Sequence, residues 1–92
     1  MIKSWQHKGL QKFFETGSKA GIQPKHAEVL ELLLFQLASA VQPEDMNTPG
    51  NYFHKLSGDL DGFYSVKVDK AWRLIFKFNI NDATLVDYVN YH

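Results

Sequence analysis

Apolar residues near the start of the chain recur at the spacing of an α-helix. Leu10, Phe13 and Phe14 lie three or four positions apart, and the pattern stops at Gly17, a residue type that commonly ends helices. The pattern therefore predicts a short first helix over about residues 7–16.

A second and stronger helical pattern begins at Pro24, which suits the first turn of a helix because proline lacks an N–H. Its apolar positions form a single stripe along one side: Leu30, Leu33, Leu34, Leu37 and Val41. Pro43 cannot continue a helix, so we expect the helix to end at Gln42-Pro43. The segment 45–51, with Pro49-Gly50 inside it, is expected to be a loop.

After residue 63 the apolar residues recur at every second position, which is typical of strands. A three-residue loop at 69–71 predicts a hairpin with these pairs on one face: Val68 with Trp72, Val66 with Leu74 and Tyr64 with Phe76. The same register places Lys67 directly across from Arg73 on the opposite face. Two like charges in that position cost stability unless an anion lies over them. The alternative is that both side chains simply extend into water.

Three further segments complete the predicted fold. Ile2, Ser4 and Trp5 indicate a short N-terminal strand, and two more strands are expected near 51–56 and from Thr84 to Tyr91. The last segment is apolar on both sides, so its buried face is ambiguous. The predicted fold is α+β: an antiparallel sheet of about four strands with two helices packed on one face.

The size and composition of the chain limit what the fold can be. With 92 residues, 45% of them hydrophobic, we expect one domain spanning residues 1–92. No cysteine is present, so neither a disulfide nor a thiolate site is predicted. No segment approaches the roughly 20 apolar residues that span a bilayer, and no apolar run resembles a signal peptide. These features favour a soluble cytoplasmic protein with no membrane partner.

Charge is balanced overall but unevenly distributed. Residues 1–25 carry a net charge of +4, residues 26–50 carry −4, and residues 51–92 are neutral. Arg73 is the only arginine among the ten basic residues, and a guanidinium is the group best suited to gripping a phosphate with two parallel hydrogen bonds. The surroundings of Arg73 are therefore the first candidate site.

Eight polar residues near the predicted strand ends are the candidates for chemistry. Their imidazole, phenol, ammonium and guanidinium groups suit RNA cleavage, in which protons move at two oxygens and charge develops on phosphorus. Each residue type is also common on ordinary surfaces, so the residues alone leave both interpretations open. The set is His54, Lys55, Ser57, Lys67, Arg73, Asn90, Tyr91 and His92.

The other histidines and the absence of familiar motifs limit the kinds of site that the sequence predicts. His7 and His26 are expected to be ordinary surface residues. His54 and His92 have no third ligand at a recognisable spacing, so no metal site is predicted. Neither a Gly-rich phosphate loop nor a serine nucleophile motif is present.

Nearly the whole chain resembles the HigB-type toxins of the RelE/ParE toxin–antitoxin superfamily. The segments that carry the resemblance occur in the family's order and spacing: Met1-Ile2-Lys3-Ser4, His7-Lys8-Gly9-Leu10, Phe14-Glu15-Thr16-Gly17, Pro49-Gly50, His54, Leu56, Gly58-Asp59, Gly62-Phe63-Tyr64-Ser65-Val66, Trp72-Arg73-Leu74-Ile75-Phe76 and Tyr91-His92. The resemblance implies ribosome-dependent cleavage of mRNA by an endoribonuclease that needs neither a metal nor a cofactor. It also implies neutralisation by a HigA-type helix-turn-helix antitoxin, through which alone the toxin would act on operator DNA.

The resemblance implies that His54, Tyr91 and His92 correspond to active-site residues of the family. Two other positions of this chain depart from the family's active-site pattern. Where the family commonly reads His-Pro-Leu-Lys-Gly-Asp, this chain has Lys55 and Ser57, and the family's Asp-Tyr-His ending begins here with Asn90. In an alternating strand, residues 55 and 57 share a face, so Lys55 is a candidate to supply the missing charge. An amide cannot exchange a proton near neutral pH.

These departures keep a second function open, a catalytically weakened toxin relative that serves mainly as an antitoxin-binding co-repressor. A gyrase poison of the ParE branch is a third possibility, although the His54 and Tyr91-His92 pattern argues against it. In the leading interpretation, Arg73 with Lys67 or Lys55 binds the scissile phosphate.

Two apolar residues of the second helix, Leu32 and Phe35, lie away from the centre of its core stripe. Either the first helix covers them or they form the antitoxin-binding surface. In the second case, Glu28 and Glu31 would rim the contact.

Overall fold

The computed structural model describes residues 1–91, which form an α+β fold as predicted. The antiparallel sheet has the strand order β1-β2-β3-β4. Within residues 1–91 the helices and strands are α1 (Lys8–Thr16), α2 (Ala27–Ser39), β1 (His54–Lys55), β2 (Tyr64–Lys67), β3 (Trp72–Asn79) and β4 (Asp82–Asn90). Short 3₁₀ turns lie at Pro24–His26, Pro43–Met46 and Gly58–Leu60. Both helices pack against one face of the sheet, where a single hydrophobic core includes Leu10, Leu34, Val66, Leu74 and Phe76.

Helix α1 begins and ends where its sequence indicates. The Nδ1 atom of His7 accepts the N–H of Leu10 at 2.9 Å and caps the first turn. Gly17 adopts φ +81°, and its N–H donates to the carbonyl of Phe13 at 2.8 Å. Glycine reaches this left-handed conformation without steric cost and thereby ends the helix.

Helix α2 buries its four predicted leucines but is shorter than expected. It ends at Ser39, and Ala40 is already extended, with φ −68° and ψ 142°. Beyond the helix, the carboxylate of Asp45 accepts the N–H groups of Val41 and Gln42 at 2.9 and 3.3 Å. Ala40 is therefore buried in the core, whereas Val41, predicted to lie on the core stripe, is 57% exposed.

The β2–β3 hairpin has the predicted register. Tyr64 lies opposite Phe76, Val66 opposite Leu74, and Lys67 opposite Arg73. The Val68 N–H donates to the Trp72 carbonyl at 2.9 Å and closes the hairpin end.

Strand β1 is much shorter than the segment expected near residues 51–56. The side chain of Asn51 donates to the carbonyl of Met46 and accepts the N–H of Phe53, while its own carbonyl accepts the N–H of Lys67. Because these bonds occupy the backbone before the strand, ladder pairing begins only at His54.

The ambiguity of the last strand is resolved by a bulge. Ile75 pairs with Asp87 and Lys77 pairs with Thr84, so β4 contains one more residue than β3 over this stretch. Leu85 lies inside the bulge with φ +52°. The extra residue reverses the alternation, which explains why both sides of the segment look apolar in the sequence.

The N-terminal segment lies beside β4. Ile2 and Trp5 form isolated parallel bridges with Ala83 and Val86. The short strand predicted there is therefore two separate bridges. Within residues 1–91, no helix combines the length and apolarity that crossing a membrane requires.

Candidate functional site

Two neighbouring cations mark the sheet face that lies away from the helices. Lys67 and Arg73 are directly paired across β2 and β3, as predicted. The Nζ of Lys67 lies 4.8 Å from the ring centroid of Tyr52, and the guanidinium carbon of Arg73 lies 5.5 Å from that of Tyr91. Cation–π contacts of this kind contribute about 0.5–1 kcal/mol each at exposed sites. Two separate rings thus partly offset the repulsion between the two charges.

Within residues 1–91, no acidic group neutralises the charges of this pair. Among the ion pairs formed within residues 1–91, none involves Lys67 or Arg73. A positive pair with no acidic partner among the described residues is a suitable binding site for a phosphate group.

Part of the Arg73 guanidinium is fixed by the hairpin turn. Its Nη1 donates to the Asp69 carbonyl at 3.2 Å, whereas its buried Nε finds no hydrogen-bond partner within residues 1–91. Within residues 1–91 the guanidinium makes one hydrogen bond, so its other N–H groups keep donor capacity for a further acceptor.

His54 stands on the same side of the sheet, since it pairs with Ser65 in the row next to Lys67. Its Nδ1 lies 2.9 Å from the carbonyl oxygen of Tyr52. A carbonyl only accepts, so Nδ1 carries the hydrogen, and in the neutral ring Nε2 keeps a free lone pair. The exposed His54 ring can therefore take up a proton at Nε2.

Lys55 is not brought to this face. Lys55 pairs with Tyr64, whose ring packs against the core, so alternation places Lys55 on the helix side of the sheet. The strand then ends, and Ser57 begins the turn Gly58–Leu60. The alternating strand that was expected to run through residue 57 thus ends at Lys55.

The end of the chain is divided between the two faces. Asn90 is exposed and pairs with Trp72, which lies on the core side, whereas the Tyr91 ring contacts Arg73 on the other side. The Tyr91 N–H donates to the Ala71 carbonyl at 2.7 Å and anchors this residue beside the hairpin. His92, the other predicted catalytic residue here, lies outside the described residues.

A second polar cluster was missed by the sequence analysis. His26, expected at the surface, is only 3% exposed and bridges Tyr88 and Asp69. Since a carboxylate only accepts, Nε2–H donates to Asp69, and in the neutral ring Nδ1 accepts the Tyr88 hydroxyl proton. No sequence motif connects these residues, because His26 lies 43 positions from Asp69 and 62 from Tyr88.

The pKa shifts in this cluster indicate that it stabilises the fold. Donation from His26, followed by the N–H groups of Trp72 and Ala71, holds the pKa of Asp69 well below its ordinary value of 3.8. Burial raises the pKa of Tyr88 above 10.0. All three groups are held in their hydrogen-bonded states, and none is left free to react.

The two apolar residues singled out on α2 are uncovered. Leu32 is 72% exposed and Phe35 is 75% exposed, so the alternative that α1 covers them is wrong. Together with Glu28 and Glu31 they line a shallow groove on the outer side of the helix. No group of three His, Asp or Glu side chains within residues 1–91 is arranged to hold a metal ion.

The fold is similar to that of YafQ from E. coli. Two solved structures, one of them of a variant, match 98% of this chain and 93% of theirs, with TM-scores of 0.55 and 0.52. Sequence identities of 17% and 16% mean that this similarity establishes the fold alone.

Sequence similarity identifies the family. The model of the family described as "RelE-like toxin of type II toxin-antitoxin system HigB" matches residues 3–92. Endoribonuclease HigB of Proteus vulgaris is 34% identical over 92 residues, which cover both chains completely. Toxin HigB-1 of Vibrio cholerae is 31% identical over 94 residues, covering all of this chain and 98% of that protein. The chain therefore belongs to the HigB family of RelE-like toxins, as the resemblance predicts.

Proposed function

We propose that this chain is the toxin of a type II toxin–antitoxin pair and acts as a metal-independent endoribonuclease on mRNA bound to the ribosome. The observation that carries the proposal is the Lys67–Arg73 pair, which lies between two tyrosine rings and on the same sheet face as His54. The relative named Endoribonuclease HigB supports the same reaction class. Aromatic rings beside cations also suit an unpaired RNA strand.

The proposed reaction is a transesterification within the RNA. Nε2 of His54 takes the proton of a 2′-hydroxyl, whose oxygen attacks the adjacent phosphorus. Lys67 and Arg73 stabilise the negative charge that develops on the phosphoryl oxygens. The bond to the 5′-oxygen breaks, leaving a 2′,3′-cyclic phosphate, and the departing oxygen takes a proton from His92. Tyr91 orients the neighbouring base, and no step requires a metal or an external reductant.

The test is cleavage of a defined mRNA by the purified chain on programmed ribosomes. Proton transfer by a positioned side chain contributes about 10²–10⁴-fold to rate, so His54→Ala should reduce cleavage by about a hundredfold or more. The matched control is His7→Ala, which removes an imidazole that caps α1 and should leave the cleavage rate unchanged. Equal cleavage by the wild type and His54→Ala would contradict the proposed role of His54.

A second candidate function is a catalytically weak toxin retained as a co-repressor with its antitoxin. Ser57 and Asn90 favour it, because neither supplies the charge or the exchangeable proton that the family's pattern has there. In this case, the purified chain would fail to cleave mRNA on programmed ribosomes. Its complex with the antitoxin would still bind operator DNA more tightly than the antitoxin alone, in a gel-shift titration.

We further propose that Leu32 and Phe35 form the contact with a HigA-type helix-turn-helix antitoxin. Both are large, apolar and uncovered, and the acidic rim of Glu28 and Glu31 favours basic residues opposite. Leu32→Lys combined with Phe35→Lys should weaken antitoxin binding by several kcal/mol, because two charges would enter a desolvated contact. Calorimetry measures the affinity, and a melting curve of the isolated variant verifies its fold. Unaltered affinity would reject this surface.

A further inference from the structure

Tyr52 occupies an unusual position immediately before β1. Its side chain is 65% exposed, yet its backbone adopts φ +54°, a left-handed conformation that is costly for a bulky residue. Asn51 holds this conformation through the Asn51 carbonyl, which accepts the Lys67 N–H at 2.7 Å, and through its side-chain oxygen, which accepts the Phe53 N–H at 3.2 Å. An exposed tyrosine is thus held in a strained conformation next to the candidate site.

Tyr52 contacts two members of that site by different groups. Its ring lies under the Nζ of Lys67, and its carbonyl oxygen accepts the Nδ1–H of His54. The carbonyl fixes the tautomer of the His54 imidazole, while one face of the ring contacts the Lys67 ammonium. Neither contact uses the phenolic hydroxyl.

The Tyr52–Lys67 contact has a counterpart one strand away. Tyr91 lies beside Arg73 in the same manner, and Lys67 and Arg73 are directly paired. In an unpaired RNA strand, phosphates alternate with bases. Two adjacent cations could bind phosphate while the ring beside each cation stacks on a base. Base stacking on an aromatic side chain contributes about 1–3 kcal/mol per base and tolerates any sequence.

We infer that Tyr52 is a substrate-positioning residue whose ring stacks on an unpaired base next to the phosphate that Lys67 and Arg73 bind. The inference rests on the proposed function and extends it to a residue that supplies affinity for the RNA strand. Tyr52 itself moves no proton.

The experiment measures mRNA cleavage on programmed ribosomes over a range of toxin concentrations, which separates half-saturation from maximal rate. Tyr52→Leu keeps an apolar side chain but removes the ring, so the half-saturating concentration should rise about tenfold. The maximal rate should fall by less than about threefold, since stacking is made equally in the bound ground state and transition state. Tyr52→Phe, which retains the ring, should recover most of the lost affinity.

The matched control is Phe14→Leu, the same change at an exposed aromatic residue of α1 outside the site. Melting curves of all variants verify their folds. The inference is overturned if Tyr52→Leu matches the wild type, or if Tyr52→Phe loses as much affinity as Tyr52→Leu. It is also overturned if Tyr52→Leu lowers only the maximal rate, which would make the ring a clamp for Lys67.

Arg73→Ala, assayed in parallel, distinguishes failure of the inference about Tyr52 from failure of the proposed endoribonuclease function. If Arg73→Ala abolishes cleavage while Tyr52→Leu has no effect, only the inference about Tyr52 fails. If the wild-type chain cleaves no mRNA, or if Arg73→Ala cleaves normally, the proposed function itself fails.

Discussion

His26 and His54 each lie beside a tyrosine, but their surroundings differ. His26 is buried, and its two ring nitrogens are bonded to Tyr88 and Asp69. His54 is exposed, with one nitrogen bonded to the Tyr52 carbonyl and the other making no hydrogen bond within residues 1–91. Residue type alone therefore does not separate a structural histidine from a reactive one. Burial and the number of satisfied ring nitrogens do.

The two clusters are connected through one residue. The Asp69 carboxylate accepts from His26 and from the N–H groups of Ala71 and Trp72, while its carbonyl accepts from Arg73. The closed cluster, which consists of His26, Asp69 and Tyr88, thus shapes the hairpin turn to which Arg73 is bonded. Arg73, Lys67 and His54 form the open cluster. Variants of the open cluster should change activity, whereas variants of the closed cluster should change stability.

Among variants of the cation pair, the largest effect is expected for Arg73→Ala. Removal of a charge-assisted contact to the phosphate should cost at least about 2 kcal/mol of transition-state stabilisation, a loss of tens-fold in mRNA cleavage. The fold should remain, because the guanidinium makes one hydrogen bond to the turn. Arg73→Lys is the control that keeps the charge without the planar fork, and it should retain intermediate activity. A cleavage rate equal to the wild type would remove Arg73 from the site.

The second effect concerns the closed cluster. His26→Ala leaves the Tyr88 hydroxyl and the Asp69 carboxylate without their partner and creates a cavity, so the free energy of unfolding should fall by about 2–3 kcal/mol. Urea denaturation measures this loss. Tyr88→Phe removes one hydroxyl alone and should cost about 1 kcal/mol. If His26→Ala is as stable as the wild type but inactive, the assignment of the two clusters is reversed.

The third effect is a dependence of stability on pH. Because the pKa of Asp69 is lower in the folded chain than the ordinary 3.8, ionised Asp69 stabilises the fold above about pH 4. That contribution is lost as the pH falls from about 4 toward the folded pKa. Urea midpoints at pH 6, 4 and 3 should therefore decline less steeply for Asp69→Asn than for the wild type. Equal slopes for the two proteins would show that His26 does not stabilise the ionised carboxylate.

The smallest effect is expected where the chain departs from its family. Ser57→Lys combined with Asn90→Asp should increase growth inhibition a few-fold in cells that express the toxin alone, because it restores the family's charge and proton-exchanging group. Comparison of the two single variants separates their contributions. Weaker inhibition by the double variant would mean that Lys67 already fills the role of the second cation.

The hairpin was predictable because its information is local. Alternating apolar residues and a short loop allow one register that buries Val66, Leu74 and Phe76 together, and this register also places Lys67 opposite Arg73. The Lys67–Arg73 pair of the candidate site was predictable for the same reason. Tyr52 was missed because its role depends on a positive φ and on a carbonyl oxygen, which residue type does not reveal.

Local sequence patterns were enough to predict both helices, the hairpin register and the family, since each depends on short-range periodicity or on motifs in a set order along the chain. Tertiary structure decided which face each segment presents. One extra residue at the Leu85 bulge reverses the alternation of β4, and the pairing of Lys55 with Tyr64 places Lys55 on the face opposite to Arg73. It also brought His26 to Asp69 and Tyr88 across long separations in the chain. Such contacts depend on how the layers pack, and no local pattern of residues encodes them.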